Sequence, residues 1–187
     1  MIAGIDEVGR GCIAGPVVAA AVILQANIEG IKDSKKLSEK KRNELSELIK
    51  SNSIYSFGMS SSDEIDELNI QNATFLAMQR AVKNLSVQPK KILVDGNQVF
   101  ETNLPIEAIV GGDNLITSIS AASIIAKVYR DKIMQDLAAK FPHYSFEKHK
   151  GYPTKQHYEA IKHHGGGDGC VLIGPNAEHI SLYIDKR

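Results

Sequence analysis

Cysteine is scarce in this chain of 187 residues: only Cys12 and Cys170, in no motif spacing. That excludes a disulfide framework and fits a reducing compartment. Net charge is absent too, with 22 Lys and Arg against 22 Asp and Glu. Bulk charge therefore neither predicts nor excludes a polyanionic partner, and only local clusters can decide. A long hydrophobic run is also missing. The apolar stretch from Cys12 to Leu24 is too short to span a bilayer and is interrupted by Gly15-Pro16. No basic segment precedes an apolar one at the N-terminus. These absences predict a cytoplasmic protein without membrane contact. No repeat, low-complexity tract or linker divides the sequence, which predicts one domain over residues 1–187.

What is present alternates between strand and helix patterns. Ile2 to Val8 reads as a short strand. Val17 to Leu24 (VVAAAVIL) reads as a strand buried on both faces, paired with the first through Gly9 to Pro16. A basic stretch, residues 32 to 42, leads into a helix with Leu45, Leu48 and Ile49 as its apolar stripe. Ser53 to Met59 predicts a third strand and Asp63 to Leu68 a short helix. Asn69 predicts the cap of a longer helix that buries Phe75, Met78, Val82 and Leu85. Lys91 to Val94 and Ile106 to Val110 are two more strands. Asp113 or Asn114 would cap a helix running to about Lys140, and residues 154 to 163 suggest a last one. The pattern predicts an α/β protein with a mixed sheet flanked by helices.

Three of these strands end in acids: Asp6-Glu7, Asp95 and Asp113. The last two lie just past strand C-termini, where open α/β sheets place ligand sites. Carboxylates gathered at one edge repel each other and resist ionisation. A hard divalent cation such as Mg²⁺ or Mn²⁺ removes that cost and suits oxygen-only ligands. Two such ions about 4 Å apart can activate water and stabilise a leaving oxygen in phosphodiester hydrolysis. Taken singly, Asp95 in an Asp-Gly turn and Asp113 before a helix fit structural roles. Asp6 and Glu7 are harder to explain that way. Neighbours on a regular strand point to opposite faces, so either the backbone bends or only one of them ligates directly.

The words GIDEVGRG (4–11), AGPVVAAAVIL (14–24), DSKKLS (33–38), ILVDGN (92–97), GGD (111–113), SISAASIIAKVYRD (118–131) and HKGYPTKQH (149–157) occur in this order. Together they resemble type 2 ribonuclease H, the ribonuclease HII family. The resemblance implies a ribonuclease H-like fold with a central mixed five-stranded sheet. It implies a metal-dependent endonuclease that hydrolyses the RNA strand of RNA–DNA hybrids. Such an enzyme also cuts 5′ of single ribonucleotides in duplex DNA, leaving 3′-hydroxyl and 5′-phosphate ends. Carried over by position, the catalytic and metal-holding acids are Asp6, Glu7, Asp95 and Asp113, with one or two ions of Mg²⁺ or Mn²⁺. Gly9, Arg10 and Gly11 correspond to the turn that reads the ribose 2′-hydroxyl and its phosphate. Tyr152 corresponds to the tyrosine that packs on the adjoining sugar. The implied partners are RNA–DNA hybrid and ribonucleotide-containing duplex DNA, bound by a monomer.

Ser120, Ser123, Lys127 and Arg130 recur at helical spacing and predict a polar stripe, with Ile119, Ala122, Ala126, Ile133 and Leu137 beside it. The resemblance assigns phosphate contact to Lys127 and Arg130. Basic clusters at Lys32, Lys35, Lys36, Lys40, Lys41 and Arg42, and at Lys148, Lys150 and Lys155, offer further positive surface, balanced by Glu64, Asp66 and Glu67 elsewhere. The six histidines match no zinc spacing. The chain departs from the family pattern at Cys12, where proline is usual, at Gly111, and in a divergent tail from about residue 165. Two rivals are a type 3 ribonuclease H, which the GRG word opposes, and a non-catalytic nucleic-acid module, which four retained acids oppose.

Overall fold

The computed structural model describes residues 1–31 and 37–165. Five strands form one sheet in the order β3-β2-β1-β4-β5: β1 (Ile2–Val8), β2 (Val17–Leu24), β3 (Ser53–Ser60), β4 (Lys91–Asp95) and β5 (Ile106–Ile109). β1, β2 and β3 are antiparallel neighbours, whereas β1, β4 and β5 run parallel. The sheet is therefore mixed, as expected, and the C-terminal ends of β1, β4 and β5 share one edge. β2 is buried from Val17 to Ile23, which explains its unbroken apolar run.

Helices cover both faces. α1 (Glu39–Ser51) and α4 (Thr117–Lys140) pack on one, and α2 (Ser62–Lys83) on the other. Ser38 caps α1 by accepting the Lys41 N–H. Ile49 and Leu45 face the core as predicted, but Leu48 lies 48% exposed and Ser46 takes a buried position instead. α2 opens with a capping box between Ser61 and Glu64. It breaks at Asn69, whose φ of 67° and ψ of 164° leave the helix. The Asn69 Oδ1 accepts the N–H groups of Gln71 and Asn72 at 3.0 and 3.1 Å, so it restarts the helix as the sequence predicts. The buried face beyond it is led by Ala73, Ala77, Met78 and Ala81. Phe75, Val82 and Leu85 are only partly buried.

α4 departs from expectation. Asp113 does not cap it but lies inside a separate turn, α3 (Gly112–Leu115), and an extended Ile116 divides the two. The N-terminal half of α4 is covered on almost every side, from Ile119 to Ala122 and from Ile124 to Ala126. Gly4 makes this contact possible, because a Cβ there would stand 2.3 Å from the Ser118 carbonyl carbon. After α4 come a 3₁₀ turn (Pro142–Tyr144), α5 (Phe146–His149) and α6 (Lys155–His164), the last capped by Thr154. Among the described residues, no helix is long and apolar enough to cross a membrane.

Candidate active site

The pairing register decides where the acids go. Asp6 pairs with Ala20, which belongs to the cluster under α4. Glu7 pairs with Ala19, which belongs to the cluster under α2. The two acids thus leave β1 on opposite faces, near the end of the strand. In the parallel pair Ile5 matches Val94, so the next step along both strands brings Asp95 beside Asp6. Past β5, the Asp113 N–H donates to Asp95 Oδ1 at 3.1 Å. Three strand ends separated by up to a hundred residues thereby meet at one edge of the sheet.

The electrostatics follow from this crowding. Burial holds the Asp6 carboxyl well above the usual carboxylate range; Glu7 and Asp95 raise it further, against a hydrogen bond from Ser123. Glu7 is also raised, first by burial, while the Arg10 guanidinium opposes the shift and Asp95 adds to it. Each carboxylate is held by protein partners. Asp6 Oδ1 accepts the Glu7 N–H at 2.8 Å, and Asp113 Oδ1 accepts the Asn114 side-chain N–H at 2.7 Å. Arg10 reaches Glu7 Oε1 at 3.3 Å. Among the described residues, no three His, Cys, Asp or Glu side chains stand ready-made to hold a metal ion. The register brings the acids to one edge, where each also has a hydrogen-bond partner in the protein. The donor set still fits a hard divalent cation. It is all oxygen, and it places negative charge close enough that Glu7 and Asp95 raise the Asp6 pKa and Asp95 raises that of Glu7, a cost that a cation relieves.

Around the acids stand the other predicted residues. Arg10 is exposed and bonds to Gln71 Oε1 at 2.7 Å. Gln71 escaped the sequence reading, though the Asn69 cap that sets its direction did not. Gly9 adopts φ 111°, and a Cβ there would stand 2.7 Å from Arg130 Nε and from the Pro16 carbonyl oxygen. Gly11 faces Tyr152, since a Cβ on it would lie 3.8 Å from that ring. Tyr152 is 38% exposed, and Lys127 Nζ stands 5.6 Å from its ring centroid while pairing with Asp131.

The expected phosphate stripe on α4 needs correction. Ser120 is fully buried and donates to the Asp113 and Ile116 carbonyls, and Ser123 turns to Asp6. Arg130 has no exposed surface and spends its guanidinium on the carbonyls of Pro16, Lys150 and Ala14, at 2.8, 2.8 and 3.0 Å. It offers nothing to a phosphate. Helical spacing places residues on a common stripe, but it does not show that another loop covers the stripe. His149 and His157 also emerge only in three dimensions. They stack at 4.2 Å inside the fold; His149 accepts the Gly151 N–H, and His157 Nδ1 bonds the Tyr152 carbonyl. Of the lysine clusters, Lys40, Lys41, Lys148 and Lys155 are exposed. Lys32, Lys35, Lys36, Cys170, His179 and the divergent tail beyond residue 165 lie outside the described residues.

Comparison with known proteins identifies the family and agrees with the fold. A profile of the family described as ribonuclease HII matches residues 3–171. A ribonuclease HII of Shewanella pealeana is 58% identical over 166 residues, covering 87% of this chain and 82% of that protein. The ribonuclease HII solved in complex with PCNA from Archaeoglobus fulgidus superposes with a TM-score of 0.79 at 28% identity, over 97% of this chain and 96% of that one. Bst ribonuclease HIII, solved in complex with Mn²⁺, shares the fold with a TM-score of 0.70 at 16% identity, over 100% of this chain and 70% of that one.

Proposed function

The chain belongs to the ribonuclease HII family, and from that premise we propose that Asp6, Glu7, Asp95 and Asp113 form its catalytic centre. The protein is an endoribonuclease with a ribonuclease H-like fold, acting on RNA–DNA hybrids and at single ribonucleotides in duplex DNA. The observation that carries the assignment is the meeting of β1 and β4, which sets Asp95 beside Asp6 so that its charge opposes the ionisation of Asp6.

In this reading one or two Mg²⁺ or Mn²⁺ ions are held by the four acids and supply charge neutralisation and Lewis acidity at the scissile phosphate. The chain's own residues do the rest. Ser123 holds the Asp6 carboxylate, and the Asp113 N–H holds Asp95, so two acids are oriented by second partners. The Gly9–Arg10–Gly11 turn presents backbone and a guanidinium fork beside them, suited to a 2′-hydroxyl and a phosphate. Gln71 and Glu7 aim Arg10. Tyr152, opposite Gly11, packs on the neighbouring sugar, and Lys127 adds positive charge under the same strand. The duplex is bound by a monomer in the cytoplasm, and residues 1–187 act as one catalytic unit.

The test is nicking of a DNA duplex containing one ribonucleotide. With Mg²⁺ or Mn²⁺ the parent protein cuts 5′ of the ribonucleotide, and Asp6→Asn or Asp95→Asn lowers cutting by more than about a hundredfold, beyond what losing an outer partner of a metal ligand does. Asp6→Asn also removes a buried carboxyl whose ionisation its surroundings oppose, so in chelator at neutral pH this variant melts no lower than the parent. Cutting by Asp6→Asn at the parent rate would remove the assignment.

A further inference from the structure

Arg130 is a buried cation whose hydrogen-bond partners, among the described residues, are backbone carbonyls alone. Its three bonds go to two different loops. Ala14 and Pro16 belong to the connection between β1 and β2, and Lys150 belongs to the turn after α5. Those loops carry the Gly9–Arg10–Gly11 turn and Tyr152. A second link runs in parallel, where the Ile13 N–H donates to the Gly151 carbonyl at 2.9 Å. The guanidinium also lies directly under Gly9, so close that a Cβ would meet Nε at 2.7 Å. A planar fork can meet several acceptors in fixed directions, whereas one ammonium cannot.

We propose that Arg130 is a positioning residue, fixing the spacing between the turn that meets the 2′-hydroxyl and the tyrosine that meets the next sugar. It thereby favours a single ribonucleotide in DNA over continuous hybrid. This rests on the reading of Gly9–Gly11 and Tyr152 given above. The discrimination has a geometric cause. Every sugar of a continuous RNA strand carries a 2′-hydroxyl, so a displaced turn still finds one. An isolated ribonucleotide offers one hydroxyl with a deoxyribose beside it, and both contacts must be made at once. Arg130 touches neither the substrate nor the acids, so its effect runs through the two loops.

Arg130→Lys and Arg130→Gln are assayed for kcat/KM on a one-ribonucleotide DNA duplex and on a continuous RNA–DNA hybrid. The ratio of the two values is insensitive to partial unfolding, because unfolded molecules cut neither substrate. The expected result is a fall in that ratio of about tenfold or more, larger for Gln than for Lys. Tyr152→Ala lowers the ratio by itself, and adding Arg130→Lys to it lowers the ratio no further, since both act through one contact. If Tyr152→Ala lowers the ratio while both Arg130 variants keep the parent value, Arg130 is only a structural strap and the proposal is wrong. If Tyr152→Ala leaves the ratio unchanged, the assignment of Tyr152 fails first, and the positioning role falls with it.

Discussion

Ser123 marks the difference between a residue's type and its task. Its spacing on α4 places it on a stripe with Lys127, where a hydroxyl suits phosphate, yet its hydrogen bond goes to Asp6 and lowers the pKa that burial and like charge raise. Losing it leaves Asp6 less oriented and more reluctant to ionise. Ser123→Ala is expected to raise the divalent-ion concentration for half-maximal cutting by about tenfold, the scale seen when outer partners of metal ligands are removed. A metal titration at fixed substrate checks this, and an unchanged midpoint would exclude that role. Glu7 and Arg10 show the same mutual dependence. The guanidinium opposes the rise that burial causes in Glu7, while Gln71 fixes its second nitrogen.

Elements position these residues through close contact and caps. Gly4 lets the first turn of α4 lie against β1, on the face that carries Asp6. Gly4→Ala has to push α4 away, with an expected loss of roughly 1–3 kcal/mol as for other overpacked cores. Cutting should fall further than the folded fraction, because Ser123 moves off Asp6; denaturant melts beside rates of the folded protein separate the two effects. At the break in α2, Asn69 caps the longer segment from a backbone conformation close to that reserved for glycine. Asn69→Ala loses the cap and keeps the strain, so we expect about 1–2 kcal/mol of destabilisation. Asn69→Gly, which relieves the strain, should cost only a few tenths of that unit. Urea melts of both variants decide it. The cap itself was legible, because an asparagine preceding an apolar periodicity is a local signal. The division of α4 at Ile116 was not, since it reflects how Asp113 and Ser120 meet across a turn rather than any breaker residue.

Across the whole molecule, the region after α4 is held by two histidines that the fold keeps neutral. Burial lowers the pKa of His157 from its ordinary 6.5 to about 4 and lowers that of His149. A histidine depressed in the fold stabilises it fully above the unfolded value. That contribution is lost as pH falls from about 6.5 towards 4, because the unfolded chain takes up protons first. We expect the melting temperature to decline across that window, by about 2–4 °C for each kcal/mol lost. In His157→Asn, which keeps a donor near the Tyr152 carbonyl but does not titrate, the decline should be shallower. Parallel pH profiles of parent and variant test this, and identical slopes would show that other groups govern acid stability.

The sequence by itself determined the five strands, the main helices and the mixed sheet, and it proposed which acids form the site. Strand alternation, caps and glycine turns act within a few residues, and the seven family words name chemistry that local pattern alone leaves open. Only the tertiary structure decided which groups meet. The β1–β4 register brings Asp95 to Asp6, and the fold of residues 149–152 over the β1–β2 connection turns Arg130 from an apparent surface cation into a buried strap. Burial, charge coupling and hydrogen-bond partners depend on what another segment of chain covers, and helix or strand periodicity carries no record of that segment.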